Sequence, residues 1–488
     1  MTECINEYKK QEQCCITITL LANILWKDRS VLCLYHGHSL VDEKIDFLLN
    51  FHRSQATSNK DYNLRSMQDI LNELILLPEL PQVIDIGILI NSFDHSPSIS
   101  KESLIAKLWY IHLNNNLESR DVVLYGFGRI GRLLARELCS DPALKVNLKL
   151  RAVVTRDPIS YEYLQKRASL LSKDSIHGRF SGRIDIDVEN NSLIVNGIHV
   201  QFISAESSLK INYKDYDIRE AILIDNTGKN RSKESLKSHL SCPGISKVIV
   251  TAPAKDIPNV VFGVNHINST LKDIDVYSTA SCTTNAICPV LNIIEVKFGI
   301  SKGHVETIHA YTNDQNLVDN IHAKSRRGRA AALNMVITET GAGAAVAKII
   351  PQLADKLTSN AIRVPIANGS LAILILELKK KTTLDEVHKL LLGYTSIPTK
   401  HKQISLSFDQ ELVSSDIVGN PSAGIVDGCA SSVSSDGRTL TLYVWYDNEY
   451  GYSMQVLGFA NWMATNVSVQ YPATTQDDHK SLLSEKSF

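Results

Sequence analysis

The sequence predicts an α/β protein in which a Rossmann dinucleotide-binding domain is joined to an α+β catalytic domain, with a mostly helical N-terminal extension before both. Three observations predict it. A short apolar segment, Val122–Tyr125, leads straight into a glycine-rich turn and then an amphipathic stretch. Strand-like apolar segments and helical stretches alternate up to about residue 280, the pattern of a parallel, doubly wound sheet. Beyond residue 290 longer strands mix with helices, as in an α+β domain. At 488 residues the chain exceeds one ordinary domain.

Residues 1 to about 120 read as helical. Ile45, Leu48 and Leu49 mark one helix. Ser66 stands ahead of the apolar set Ile70, Leu71, Leu74 and Ile75, and Pro78 and Pro81 stop it. Ser100 is placed to cap a further helix carrying Leu104, Leu108 and Ile111. The polar stretch Asn114–Arg120 is the expected linker. The apolar stretch Cys14–Trp26 is too short to span a bilayer, and charged residues precede it without a cleavage site. The expectation is a soluble, cytoplasmic protein with no membrane contact.

Lys+Arg number 51 and Asp+Glu 52, a net charge of −1, which argues against a broad nucleic-acid surface. Nine cysteines, an odd number with no CxxC pair, predict neither a disulfide framework nor a metal site. One reactive thiol in a reducing compartment is compatible with that usage. Adjacent Cys14 and Cys15 rarely bridge each other.

The glycine turn is Gly126-Phe127-Gly128-Arg129-Ile130-Gly131. Gly126 permits the tight turn, Gly128 lets backbone approach a pyrophosphate, and Gly131 allows close helix–strand packing. The helix N-terminus then offers free N–H groups to the anion. Strands follow at Leu148–Val154, Ala221–Ile224 and Lys247–Val250. Asp157, after the second strand, is the acid placed to hold a ribose hydroxyl pair, although its spacing from the glycines needs an added segment. Asp157 favours NAD, because a carboxylate repels a 2′-phosphate; Arg156 beside it keeps NADP open.

Ser281-Cys282-Thr283-Thr284-Asn285 follows the strand Val276–Ser278 and opens an apolar helix. A cysteine at a helix N-terminus gains thiolate stability from the dipole and free amides. His309 ends another apolar stretch and could serve as its base; the two together make a nucleophile–base hypothesis. Lys324, Arg326, Arg327 and Arg329, with Arg363 further on, enclose Thr338, Thr340, Gly341 and Gly343. Arginine, threonine hydroxyls and glycine amides are the chemistry that holds phosphate oxygens.

These stretches together resemble the glyceraldehyde-3-phosphate dehydrogenase family. The resemblance runs from Asp121 to about Ala464 through Gly126–Arg132, Asp174–Gly178, Ala280–Asn285, His309–Gln315, Arg326–Ala332, Thr340–Ala342, Arg363–Pro365, Val413–Asp416 and Trp445–Tyr452. It implies a Rossmann domain over 121–280, rejoined by a helix at 451–465, and a catalytic domain over 281–450; the polar, charged residues 466–488 beyond it are expected to be a disordered tail. It implies that Cys282 attacks an aldehyde carbonyl with His309 as base and then acid. Oxidation by NAD leaves a thioacyl enzyme, and inorganic phosphate releases it as an acyl phosphate. Thr312 and Arg363 match the site for the phosphate of glyceraldehyde 3-phosphate. Ser281, Thr283, Thr340 and Gly341, with Arg327 a weaker match, correspond to the site for attacking phosphate. Gly126, Gly128, Arg129, Ile130, Gly131, Asp157, Thr227, Gly228 and Thr251 fall at the cofactor; Asn448 and Tyr452 match residues beside the nicotinamide. A homotetramer is the implied assembly, with the segment 311–336 against a neighbour's cofactor site.

The sequence departs from the family pattern around the adenosine half of the cofactor. Tyr125 and Arg156 replace Asn, Thr251 and Ala254 stand where serines are usual, Glu206 falls near a position often held by Arg, and Asp225-Asn226 replaces Glu-Ser. Ala286 stands where a second Cys is common. Two alternatives stay open: a related enzyme acting on erythrose 4-phosphate, and a weakly active cofactor-binding regulator.

Overall fold

The computed structural model describes residues 2–35, 38–56, 64–78, 80–81, 83–92, 119–205, 211–267, 274–338, 340–395 and 403–465. The expected Ser100 helix, the polar linker up to residue 118, Glu206 and the tail from 466 lie outside them. The chain divides into two compact units. The first takes the described residues before Arg120 together with Asp141–Asn147.

In the first unit α1 spans Thr2–Arg29, β1 Leu32–Tyr35, β2 His38–Ser39, α2 Ile45–Ala56, α3 Leu64–Leu76, β3 Val83–Asp85 and α4 Ile86–Ser92. Ile18, Leu21, Ala22 and Leu25 of α1 recur at i, i+3, i+4 and i+7 and are all buried. They meet Met67, Ile70, Leu71 and Leu74 of α3 and Cys33 and Tyr35 of β1 in one core. The Arg29 guanidinium donates to the carbonyls of Ile75 at 3.2 Å and Pro78 at 2.7 Å, satisfying orphan acceptors at the end of α3. Two details differ from the sequence reading. Ser66 lies inside α3, not ahead of it. A three-stranded sheet accompanies the helices: β1 pairs with β2 antiparallel and with β3 in parallel. The β1–β3 partners are about fifty positions apart, and neither strand is long enough for alternation to announce it.

The second unit begins with β4 (Arg120–Tyr125) and α5 (Arg129–Ser140); after α6 (Pro142–Asn147), which belongs to the first unit, it resumes with β5 (Leu148–Thr155), α7 (Tyr161–Ser172) and the hairpin β6 (Lys173–Asp174) and β7 (Gly178–Arg179). It continues with β8 (Ile184–Asp187), β9 (Ser192–Val195), β10 (Ile198–Ser204), β11 (Ala221–Asp225), α8 (Lys233–Leu240), β12 (Ile245–Val250) and β13 (Val276–Ser278). These strands form an eight-stranded sheet in the order β13-β12-β11-β4-β5-β10-β9-β8. Six are parallel, as the alternation predicts; β9 and β8 extend one edge antiparallel. The chain leaves β4 toward β5 on one side and returns at β11 on the other. That reversal is the crevice where such sheets take ligands, and the glycine turn sits at it. The segment that lengthens the path to Asp157 is α6.

After β13 come α9 (Cys282–Phe298), β14 (Ile300–Ala310), β15 (Val336–Thr338), α10 (Ala342–Ile349), β16 (Leu357–Val364), β17 (Ser370–Leu378), α11 (Leu384–Thr395), β18 (Ile404–Ser407), β19 (Gly424–Val433), β20 (Thr439–Tyr446) and α12 (Tyr450–Thr465). The seven strands run β15-β16-β14-β17-β20-β19-β18, mixed in direction. The apolar face of this sheet packs on α9 through Ile287, Val290, Leu291 and Ile294 against Leu374, Leu442 and Val444. Because α9 starts at Cys282 and ends in this core, burying the helix also fixes where the cysteine points. Among the described residues no helix is long and apolar enough to cross a membrane.

Candidate active site

The position of Cys282 is built locally. Ala280 adopts a left-handed backbone, φ 54°, uncommon for a residue with a Cβ. That turn swings the chain from β13 into α9. Ser281 then caps α9, its Oγ accepting from Thr284 N at 3.1 Å. Cys282 is thus the first residue of the helix, where backbone N–H groups have no intrahelical partner.

His309 comes from β14. Its Nε2 lies 3.5 Å from Cys282 Sγ. Its Nδ1 lies 2.7 Å from the carbonyl of Ala310 and 2.9 Å from Arg363 Nη1, so either tautomer finds a partner there; the one protonated on Nδ1 donates to the carbonyl and leaves the Nε2 lone pair toward sulfur. Arg363 of β16 sits alongside because β14 and β16 pair in parallel with His309 opposite Arg363. Its Nη1 donates to the Ala310 carbonyl at 2.9 Å and to Thr312 Oγ1 at 3.3 Å. Its buried Nε has no partner among the described residues. Burial pushes the Cys282 thiol up, with Arg363 pulling the other way. Burial, and then the Arg363 charge, push His309 down to about 4. Burial thus favours the uncharged form of both groups, while the Arg363 charge and the backbone N–H groups of Cys282 and Thr283 favour the thiolate.

The anion-site candidates divide. Thr312, Arg327 and Arg363 are drawn together around the end of β14. Thr312 and Arg327 both donate to the carboxylate of Asp314, and Arg327 also donates to Thr338 Oγ1 at 2.9 Å through Nη2. Ser281 spends its hydroxyl oxygen on capping. Thr283 Oγ1 bonds Tyr446 Oη at 2.9 Å beneath the His309 ring. Thr340 Oγ1 accepts from Ala342 N at 3.2 Å, and Gly341 caps α10 with open space where a Cβ would stand.

The glycine turn provides a test of fit for a dinucleotide. Gly126 has φ +97°, and a Cβ there would press on Thr227. A Cβ on Gly131 would stand 2.6 Å from the Gly126 carbonyl, whereas one on Gly128 would meet nothing within 4 Å. The chain is closed beneath the turn and open above it. Asn226 Oδ1 and Thr155 Oγ1, at the ends of β11 and β5, are buried without partners among the described residues. An open cradle flanked by orphaned polar atoms fits a pyrophosphate with its sugars. The Arg129 side chain is spent internally, with Nη1 2.7 Å from Asp174 and Nε 2.7 Å from Glu449. Its backbone N–H and that of Ile130, in the first turn of α5, are what can face an anion. Asp157 is 64% exposed, with Arg167 3.3 Å away. Thr227 is held by Asp225 through N and Oγ1, Gly228 follows with φ +66°, and Thr251 Oγ1 donates to the Asp225 carbonyl at 3.2 Å.

Asn448 and Tyr452 are tied to the segments around Cys282 and His309. Asn448 Oδ1 accepts from Ser370 Oγ at 3.0 Å, and Ser370 Oγ accepts from Ala310 N. Tyr452 Oη donates to the Ala280 carbonyl at 3.1 Å and lies 2.9 Å from Thr279 Oγ1. Sequence reasoning missed Tyr446, Ser370, Asp314 and the buried pair Asp225–His239, whose Nε2–Oδ2 distance is 3.2 Å. Asp314 lay inside the quoted His309–Gln315 stretch, and Asp225 stood out only as a departure.

Two family models match the chain: the NAD binding domain of glyceraldehyde 3-phosphate dehydrogenase over residues 120–233, and its C-terminal domain over 281–448. A glyceraldehyde-3-phosphate dehydrogenase-like protein of Pseudomonas aeruginosa (strain UCBPP-PA14) is 45% identical over 442 residues, covering 89% of this chain and 95% of its own. Glyceraldehyde-3-phosphate dehydrogenase 1 of Bacillus cereus is 36% identical, and glyceraldehyde-3-phosphate dehydrogenase 2 of Trichormus variabilis 38%. Each covers 70% of this chain and 97% and 98% of its own length, respectively. The likeness to the Pseudomonas protein thus reaches into the N-terminal extension.

Proposed function

The chain belongs to the glyceraldehyde-3-phosphate dehydrogenase family and is a dehydrogenase of that type with NAD as its cofactor; on that premise, we propose that it carries out the phosphorylating oxidation of glyceraldehyde 3-phosphate to 1,3-bisphosphoglycerate. The observation that carries the proposal is the 3.5 Å pair of Cys282 Sγ and His309 Nε2, with Nδ1 anchored on Ala310.

The proposed chemistry begins with a neutral pair. As Sγ bonds to the aldehyde carbon, the thiol proton passes to His309 Nε2 and on to the carbonyl oxygen, giving a thiohemiacetal on Cys282. His309 Nε2 then takes the proton from that hydroxyl, which lets the carbon surrender a hydride and become a thioester. NAD, held at Gly126–Gly131, Thr227, Gly228, Asn448 and Tyr452, supplies the hydride acceptor. Arg363, through its unpartnered Nε, with Thr312, holds the substrate's phosphate and so places the carbonyl against Sγ. Inorganic phosphate attacks the thioester carbon; the C–S bond breaks, and His309 returns a proton to sulfur.

The purified full-length protein, given glyceraldehyde 3-phosphate, NAD and phosphate, should form acyl phosphate and NADH, and Cys282→Ser should abolish both. No acyl phosphate from the wild type overturns the proposal. A higher rate with erythrose 4-phosphate reassigns the substrate. The proposed assembly is a homotetramer. Its support is an exposed apolar segment, with Leu317 80% and Ile321 97% accessible beside Val318, Leu333 and Met335. Light scattering of the purified protein tests it. The first unit has a core of its own, and a chain beginning at residue 118 is expected to keep dehydrogenase activity.

A further inference from the structure

Thr312 and Arg327 are the two candidate anion ligands whose polar groups already face a carboxylate of the same chain. Thr312 has one hydroxyl proton, and it goes to Asp314 Oδ1; Arg327 Nη1 goes to Asp314 Oδ2. The remaining edge of Arg327, Nε and Nη2, is turned to Thr338 at 3.3 and 2.9 Å. Arg363 reaches the same Thr312 oxygen from the other side. The Thr312 hydroxyl and the charges of Arg327 and Arg363 together hold Asp314 below the usual carboxylate range against its partial burial, so it is ionised at neutral pH. Its side chain is 44% exposed, whereas Arg327 is 13% exposed. The carboxylate is thus the more solvent-accessible member of the pair.

We propose that Asp314 is a resident competitor for phosphate: its carboxylate occupies the donors of Thr312 and Arg327 and lowers the affinity of the site for phosphate groups. The proposal rests on the functional reading above, in which those donors bind phosphate. A dianion entering the site must displace the carboxylate or sit beside a like charge, and either costs affinity. Because Asp314 is two residues from Thr312 on one turn, the competitor is present at high local concentration whatever the solution contains. Such a brake keeps the site from filling with phosphate at low concentration. It also speeds release of a phosphorylated product that leaves through the same donors.

The test uses the full-length protein with Asp314→Asn and Asp314→Ala, and with Asp319→Asn as control. Asp319 is a carboxylate of the same segment, 57% exposed, and is paired with Arg329 at 2.8 Å. Binding of inorganic phosphate alone is measured by calorimetry, and KM for phosphate, glyceraldehyde 3-phosphate and NAD by steady-state rates. Both Asp314 variants should bind inorganic phosphate about three- to tenfold more tightly, the range of a half-exposed charge-assisted pair. Their KM for phosphate and for glyceraldehyde 3-phosphate falls, and KM for NAD stays put. Asp319→Asn should match the wild type. Weaker or unchanged phosphate binding in either folded Asp314 variant overturns the proposal, as does an equal gain in Asp319→Asn. If the wild type makes no acyl phosphate, the calorimetry still decides the point, and absence of phosphate binding to all four proteins counts against it.

Discussion

Cys282 Sγ and His309 Nε2 stand 3.5 Å apart although 27 positions separate them in the chain. One is the first residue of α9 and the other lies near the end of β14, so the helix must fold back along the sheet that it covers for the two to meet. Exchanging His309 for Asn removes the proton acceptor while keeping a polar side chain of similar size. The loss in kcat expected is about 10²- to 10⁴-fold, with NAD binding, followed by fluorescence, unchanged.

The same pair predicts a pH profile. His309 is held down to about 4, so the imidazole stays neutral well below the usual histidine range. The acid limb of kcat/KM should therefore fall below pH 5. A limb near 6.5 would mean that the burial of His309 does not persist in the working enzyme.

The glycine turn separates two kinds of damage. Gly131→Ala would drive a Cβ to 2.6 Å from the Gly126 carbonyl, backbone against backbone. It should cost stability by about 1–3 kcal/mol, seen as a lower Tm. Gly128→Ala meets nothing within 4 Å. Its Tm should match the wild type, while its Kd for NAD rises at least about tenfold, the worth of one lost close approach of about 1.4 kcal/mol.

Asp225 is wholly buried and accepts from Thr227 N and Oγ1 and Asn230 Nδ2, with His239 Nε2 3.2 Å away. These contacts hold its carboxyl below the usual range against the cost of burial. Asp225→Ala should destabilise the protein by about 3–5 kcal/mol in denaturant unfolding, because it strands buried donors. A milder Asp225→Asn should raise KM for NAD more than it lowers kcat, since the loop Thr227-Gly228 loses its anchor.

His266 predicts a stability effect away from the site. It is buried, its Nδ1 accepts from Gly263 N at 3.0 Å, and burial lowers it to about 4. Its folded value lies below the unfolded one near 6.5, so between those values the unfolded chain binds the proton and the folded chain does not. Stability should fall as pH drops from about 6.5 toward 4, by up to about 3 kcal/mol at this residue. His266→Gln should flatten that part of the curve measured by thermal unfolding.

Much of the second unit was legible because its signals are local. Strand, glycine turn and helix follow one another within Asp121–Leu138, and α9 opens on a Ser281 cap beside Cys282. The helices of the first unit were legible from their periodicity, but its sheet was not, since β1 and β3 are short and distant in sequence. Arg129 illustrates the limit within the site. Its place in the motif suggested a ligand to the cofactor, yet its guanidinium is committed to Asp174 and to Glu449, 320 positions away.

By itself the sequence determined the helices, most strands of the second unit, the glycine cradle and the family, and it singled out Cys282 and His309 as the proposed nucleophile and base, because periodicity, capping and steric permission act over a few residues. Only the tertiary structure decided which charges share a partner. Sheet order sets Arg363 opposite His309, the turn after β14 brings Asp314 onto Thr312 and Arg327, and the return of α12 brings Glu449 to Arg129. Those pairings follow from how buried faces close on each other across long stretches of chain, and no local rule of side-chain spacing encodes them.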